Sequence, residues 1–268
     1  MDQATHFNPL TAPPTDEVPL KNAPLVRVLA QVRFPLILSI ERKEFVSGFQ
    51  EALRKQYPIL QPEQTQGFVV GMQGIVPTEP RTTWRFIDLD GNWRVTLAPD
   101  FVALETTAYL SRNDFLKRLE VVLAALETYI QPQVVERLGL RYIDQLVGED
   151  VNQLADLVRP EISGIIGLDI KASVHQTINE SLFNLPNGEE QIAARWGLIP
   201  AGTSFDLYAI EPIDQQSWIL DLDMSLSKNR EFNIGVLMHE AQHFAERIYT
   251  FFRWAVTPSF LRRFGGDV

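Results

Sequence analysis

Leu138–Leu146 reads LGLRYIDQL, and far upstream Leu25–Phe34 reads LVRVLAQVRF. The first is rich in Val and Leu, the second carries Leu and Ile, and in both an arginine is followed at once by an aromatic ring, Arg33-Phe34 and Arg141-Tyr142. Each reads as a strand. The segments downstream of these two strands decide the fold. After the first, Pro35 closes the strand. Phe45, Phe49, Ala52 and Leu53 then recur at helical spacing until Pro58. Four strands are expected next, over Gly67–Val76, Thr82–Asp88, Asn92–Ala98 and Phe101–Thr107, with Asp90-Gly91 as the turn joining the middle pair. Asn113 stands where a helix cap belongs, and Phe115, Leu116, Leu119, Val122, Leu123, Leu126 and Ile130 form one apolar stripe behind it.

The series then begins again. After Leu138–Leu146, Asp150 is expected to cap a short helix that ends before Pro160. Strands are expected over Asp169–Ile178, Glu190–Gly197, Ser204–Ile210 and Ser217–Leu222, with Asn187-Gly188 as a hairpin turn, and a long helix runs from Glu231 to Trp254. The fold expected is therefore α+β. Two duplicated β-α-β(4)-α units form a continuous curved antiparallel sheet with long helices on one face. Residues 1–24 hold prolines at 9, 13, 14, 19 and 24 and read as a proline-rich N-terminal arm, extended or solvated. The first half covers 25–134 and the second 135–268, the latter with the C-terminal helix and tail. The order of elements resembles that of the two-lobed saddle of the TATA-box-binding protein, at the level of fold alone.

Composition narrows the function classes. The 268 residues carry 24 Lys and Arg against 34 Asp and Glu, a net charge of -10. Such a field repels phosphate backbones and anionic lipid, so nucleic acid is a disfavoured partner and a membrane is not expected. The chain has no cysteine, which removes disulfides, thiol nucleophiles and thiolate metal sites. No apolar run has the ~18 residues a spanning helix needs, and no leader-like apolar stretch opens the chain, so a cytoplasmic location is expected.

Three stretches carry a family resemblance. They are Asn22-Ala23-Pro24-Leu25-Val26 running into Arg33-Phe34-Pro35, then Trp84-Arg85-Phe86 with Leu97 through Thr107 and Tyr109, then Arg137 through Asp144. Together they resemble a sporadically distributed, functionally uncharacterised family of bacterial proteins of about this length. At Asp144 that family more often shows Asn. The resemblance supports the architecture and implies no substrate, cofactor or catalytic residue. It does imply a gene that travels with mobile or defence-related loci.

One motif carries chemistry. His239-Glu240-Ala241-Gln242-His243 satisfies H-E-x-x-H, in which two His one turn apart hold zinc and the Glu activates the metal-bound water. At ~100° per residue, His243 lies about 40° from His239 and Glu246 about 20° to the other side. Leu237, Ala241, Phe244, Ile248, Phe251, Phe252 and Ala255 fall on the opposite side. The histidines thus centre a polar helix face, with Glu246 as the nearest third ligand for Zn. The bland reading, a solvated helix face, is preferred. Other signatures are weaker: Asp88, Asp90 and Asn92 lack the terminal Glu of a calcium loop, and no phosphate-binding loop or G-x-S-x-G elbow occurs.

Arg33 and Arg141 each interrupt an apolar strand at matching places. A buried arginine requires a carboxylate, and Asp144 or Glu105 could serve. The sharper reading makes the pair two quasi-equivalent ligand sites for anions. Near the end, Phe260-Leu261-Arg262-Arg263-Phe264 either docks on the core or reaches a second copy in a homodimer. The leading functional expectation is a non-enzymatic binding or assembly module for a protein partner or small ligand on the open sheet face. A zinc-dependent hydrolase using His239, Glu240 and His243 is the alternative, and a saddle-like nucleic-acid binder the third.

Overall fold

The computed structural model describes residues 7–65, 68–71, 74–77 and 81–267. Its strands are β1 (Leu25–Arg33), β2 (Ile59–Thr65), β3 (Phe68–Gly71), β4 (Gly74–Pro77), β5 (Arg81–Ile87) and β6 (Trp93–Ala98). They continue with β7 (Phe101–Thr106), β8 (Val134–Val147), β9 (Thr177–Asn184), β10 (Glu190–Ile199) and β11 (Ser217–Glu231). Helices are α1 (Lys43–Leu53), α2 (Arg112–Tyr129), the one-turn α3 (Glu149–Asn152), α4 (Leu154–Leu157) and α5 (Pro160–Ser163), then α6 (Ile234–Ala255) and α7 (Pro258–Arg263). A single antiparallel sheet of nine strands runs in the order β2-β5-β6-β7-β1-β8-β11-β10-β9, and β3 and β4 pair separately. The architecture is α+β.

The chain divides into two compact units. The first holds Met1–Val28, Leu140–Leu226 and Gln242–Val268; the second holds Leu29–Gly139 and Ser227–Ala241. This differs from a division at residue 134. Strands β1, β8 and β11 and helix α6 each give residues to both units, because elements of 9, 14, 15 and 22 residues are long enough to do so.

In the second unit, alternation along the strands separates two faces. Trp84, Phe86, Trp93, Val95 and Leu97 are buried. Phe86 meets Phe49 of α1 edge-on at 5.5 Å, and Trp93 meets Phe115 of α2 at 5.8 Å. The Trp84 indole donates to the Ile40 carbonyl at 2.7 Å, which leaves no orphaned polar atom on that ring. Each large side chain so buried contributes roughly 1.5–3 kcal/mol. The alternate positions carry ion pairs instead, Arg85 with Glu63 and Arg94 with Glu105.

In the first unit, Trp218, Leu220, Leu222 and Met224 of β11 and Ile192, Ala194 and Leu198 of β10 are buried. Phe183 of β9 stacks on Phe251 of α6 at 5.6 Å. Phe244, Ile248, Phe251, Phe252 and Ala255 are the buried side of α6 here, as the helical spacing predicts. Helix α7 docks back rather than reaching outward: Phe260, Leu261 and Phe264 are buried, and Phe260 packs against both Phe252 and Phe264. The described part of the N-terminal arm is no solvated tail either. Arg247 donates to the carbonyls of Pro9 and Ala12 at 2.8 and 2.7 Å. Thr15 and Val18 donate backbone N–H groups to Thr250 and Tyr249, and Asn22 donates to the Phe264 carbonyl.

Several local expectations are corrected. The strand expected over Asp169–Ile178 is a 3-10 helix at Asp169–Ser173, and the strand there is Thr177–Asn184. Ser204–Ile210 is a looped segment, in which the Asp206 carbonyl accepts from the N–H groups of Ala209 and Ile210. Its alternation marks anchors, because Ala209, Ile210 and Phe205 pack on Ile143, Ile199 and Ile219. The second series therefore has three strands after its helices. Strand β2 is absent from the sequence expectation, since Pro62 and a run of polar residues mask it; it lies at one end of the sheet order, where a missing N–H is tolerated. The cap of α2 is Ser111, whose hydroxyl accepts from the Asp114 N–H, and not Asn113. Gly148 precedes α3, with Asp150 inside its first turn. The strand expected over Gly67–Val76 lies partly outside the described residues, which show β3 and β4 there. Both turn expectations hold: Gly91 and Gly188 take φ of 74° and 72°, where a Cβ would strain the backbone.

Candidate functional site: an arginine–carboxylate network on the first unit

Arg141 sits on β8 facing β11. Its Nε and Nη2 donate to the two carboxylate oxygens of Asp221 at 2.7 and 2.8 Å, a bidentate fork, and Nη1 reaches Asp206 at 2.8 Å. Asp221 is directly opposite Arg195 on β10, which in turn is opposite Glu180 on β9. Arg195 reaches Asp221 at 3.5 Å and Glu180 at 2.8 Å, and its guanidinium lies 4.9 Å from the Phe205 ring centre. Two guanidinium groups thus meet three carboxylates, leaving one negative charge in excess. The electrostatics track the burial. Burial alone would lower the Arg141 guanidinium, but its bonds to Asp221 and Asp206 outweigh that and raise it. Burial likewise pushes Asp206 up, yet Arg141 and the N–H groups of Tyr208 and Ala209 carry it below the usual carboxylate value. An anion from outside would have to displace Asp206 or Asp221 to reach Arg141.

Arg33 is placed differently. It ends β1, is half-exposed, and donates to Asp100 at 3.0 Å. The partners expected for the two arginines are thereby corrected: Glu105 belongs to Arg94. Asp144 is 7 % exposed in β8 on the face opposite to Arg141, and burial pushes its carboxyl up to about 7.

The residues of the H-E-x-x-H segment lie on α6. His239 is exposed. Glu240, which a hydrolase would aim at a metal-bound water, instead accepts from Arg230 at 2.5 Å within the second unit. In the first unit, His243 faces Glu190 at 3.2 Å, and Glu246 accepts from Gln242. Among the described residues, no three His, Asp or Glu side chains gather as a metal site. In the second unit a hollow of about 460 Å³ opens beside Glu41, Lys43, Pro62, Gln64, Thr82 and Trp84.

Sequence reasoning misses Asp206, Asp221, Arg195 and Glu180. A signal for one of them exists: Asp221 interrupts the apolar run Trp218–Leu222 as Arg141 interrupts its own strand. Asp206 has none, because a loop anchor has no period. Exposed apolar side chains flank the network. On β9, Ile178 and Leu182 share the face of Glu180, and the loop after Phe205 exposes Leu207 and Tyr208, the latter 92 % accessible. No protein-family model matches the chain, and no curated protein matches it. Among the described residues no helix is long and apolar enough to cross a membrane.

Proposed function

We propose that the chain is a non-enzymatic binding or assembly module that recognises a partner protein through the first unit's sheet. One observation carries the reading: Ile178, Leu182, Leu207 and Tyr208 are exposed beside a network whose two guanidinium groups are already met by carboxylates. Exposed apolar side chains beside paired polar groups are the composition of a protein-binding patch. A small anionic ligand would compete with Asp206 and Asp221 for Arg141, so the partner reading is favoured over the small-ligand one. As part of the same proposal, the chain belongs with the sporadically distributed family it resembles. Its two series of strands and helices descend from one duplicated unit, with the long helices on one face.

Affinity capture from lysate of the source organism tests this, with quantitative mass spectrometry of the wild type against Tyr208→Ser/Leu207→Ser. A protein retained by the wild type and lost from the variant, at equal melting temperature, supports the module. Equal capture by both, or none by either, counts against it.

A further inference from the structure

We infer that β9 is a docking edge that accepts an extended, basic segment of a partner protein as an added strand; this rests on the binding-module reading above. Four observations converge on it. Strand β9 ends the sheet order and pairs only with β10 among the described residues, so one row of its backbone N–H and C=O groups has no strand beside it. Its sequence, TINESLFN, contains no Pro, and its one charge, Glu180, is drawn onto Arg195 of β10. The strand at the other end, β2, carries Pro62. The contrast singles out one edge as open.

The edge is also held firmly from behind. Phe183 is anchored on Phe251, and Gly197 of β10 lies so close that a Cβ there would come within 1.9 Å of the Thr177 carbonyl oxygen. A strand fixed in place loses little further freedom when another strand pairs with it.

The side chains state the partner's chemistry. Ile178, Glu180 and Leu182 alternate along one face, apolar, acidic, apolar, with the Glu180 side chain 58 % exposed and Leu182 63 %. An incoming strand that sets a Lys or Arg opposite Glu180 and apolar residues two positions to either side is complementary at all three places. The network's excess negative charge and the chain's net charge of -10 favour that sign as well. A second copy of the chain fits worse. Two-fold pairing centred on Glu180 sets Glu180 against its own copy, and pairing centred on Ser181 sets Leu182 against Glu180.

A display library of random octapeptides, panned against the full chain, is the test. Enriched peptides are measured by fluorescence anisotropy on wild type, Leu182→Lys and Glu180→Lys, with hydrogen exchange of the β9 amides read in the complex. Expected are peptides with one basic residue between apolar residues at alternate positions, slowed exchange in Thr177–Asn184, and at least tenfold weaker binding by both variants. Leu182→Lys leaves the Glu180–Arg195 pair intact, so its loss of binding at an unchanged melting temperature excludes misfolding. Peptides of another pattern, or no enrichment, overturn the inference. Binding indifferent to both variants overturns the edge while leaving the module. A dimer by sedimentation that Leu182→Lys abolishes overturns it in favour of a second copy. If the lysate partner of the preceding experiment binds Leu182→Lys as it binds wild type, the edge fails and the module stands.

Discussion

Asp144 is a carboxyl in a strand whose surroundings remove water from it, and the consequence for stability is quantitative. Burial moves it from 3.8 to about 7 in the folded chain. The folded state therefore keeps a proton that the unfolded chain gives up. Its contribution is fully present below the unfolded value near 4 and is lost as pH rises to about 7. The interval corresponds to about 4 kcal/mol at 1.36 kcal/mol per pH unit. Asn has nearly the same shape and never ionises. Asp144→Asn should consequently gain stability relative to wild type, by about 3 kcal/mol more at pH 8 than at pH 5. Urea unfolding of both proteins at pH 5, 6, 7 and 8, followed by tryptophan fluorescence, reads the difference directly. Subtracting one curve from the other cancels every other titrating group. A difference that stays constant over the range, or that shrinks with rising pH, refutes the reasoning that desolvation dominates this carboxyl.

The buried fork and the exposed pair should separate in the same assay. Asp221→Asn leaves a buried guanidinium half-paired and should cost about 3 kcal/mol, whereas Arg33→Ala, at the half-exposed Asp100 pair, should cost less than about 1 kcal/mol. Arg247→Ala removes two charge-assisted bonds to the arm, so limited proteolysis should cut between Pro9 and Val18 faster than in wild type, with about 1.5–3 kcal/mol lost locally. Gly197→Ala forces a methyl against the Thr177 carbonyl, and amides of β9 should exchange faster at a cost of roughly 1–3 kcal/mol. Zinc in tag-free protein, measured by elemental mass spectrometry, should stay far below one equivalent and be unchanged by His243→Ala; one equivalent lost in the variant would restore the hydrolase reading.

Much of the second unit is legible in the sequence because its signals are periodic. The stripe from Phe115 to Leu126 is buried in α2 as its spacing requires, with Ile130 buried at its C-cap, and Asp90-Gly91 makes its turn because glycine reaches positive φ without cost. Leu237, Ala241 and Phe244 likewise keep the period of α6. The misreadings have a common cause. Ser204–Ile210 alternates like a strand, yet its apolar residues are isolated anchors, and Asp206 is held by an arginine on a distant strand. Strand β2 is polar and interrupted by Pro62, and only pairing with β5 makes it a strand.

The candidate site divides in the same way. Arg141 can be picked out alone, since a charge inside an apolar strand announces that it needs a partner. Which carboxylate answers depends on strand register: β11 sets Asp221 against Arg195, and β10 sets Arg195 against Glu180. Register is a relation between segments remote in the chain, and no local pattern encodes it. The acidic charge, the two glycine turns and the amphipathic faces of α2 and α6 were therefore determined by the sequence alone, because each is carried within a single segment. The pairing of Arg141, the docking of the arm on α6 and the place of β9 at the end of the sheet order were decided by tertiary structure, because each depends on which groups meet between segments remote in the chain.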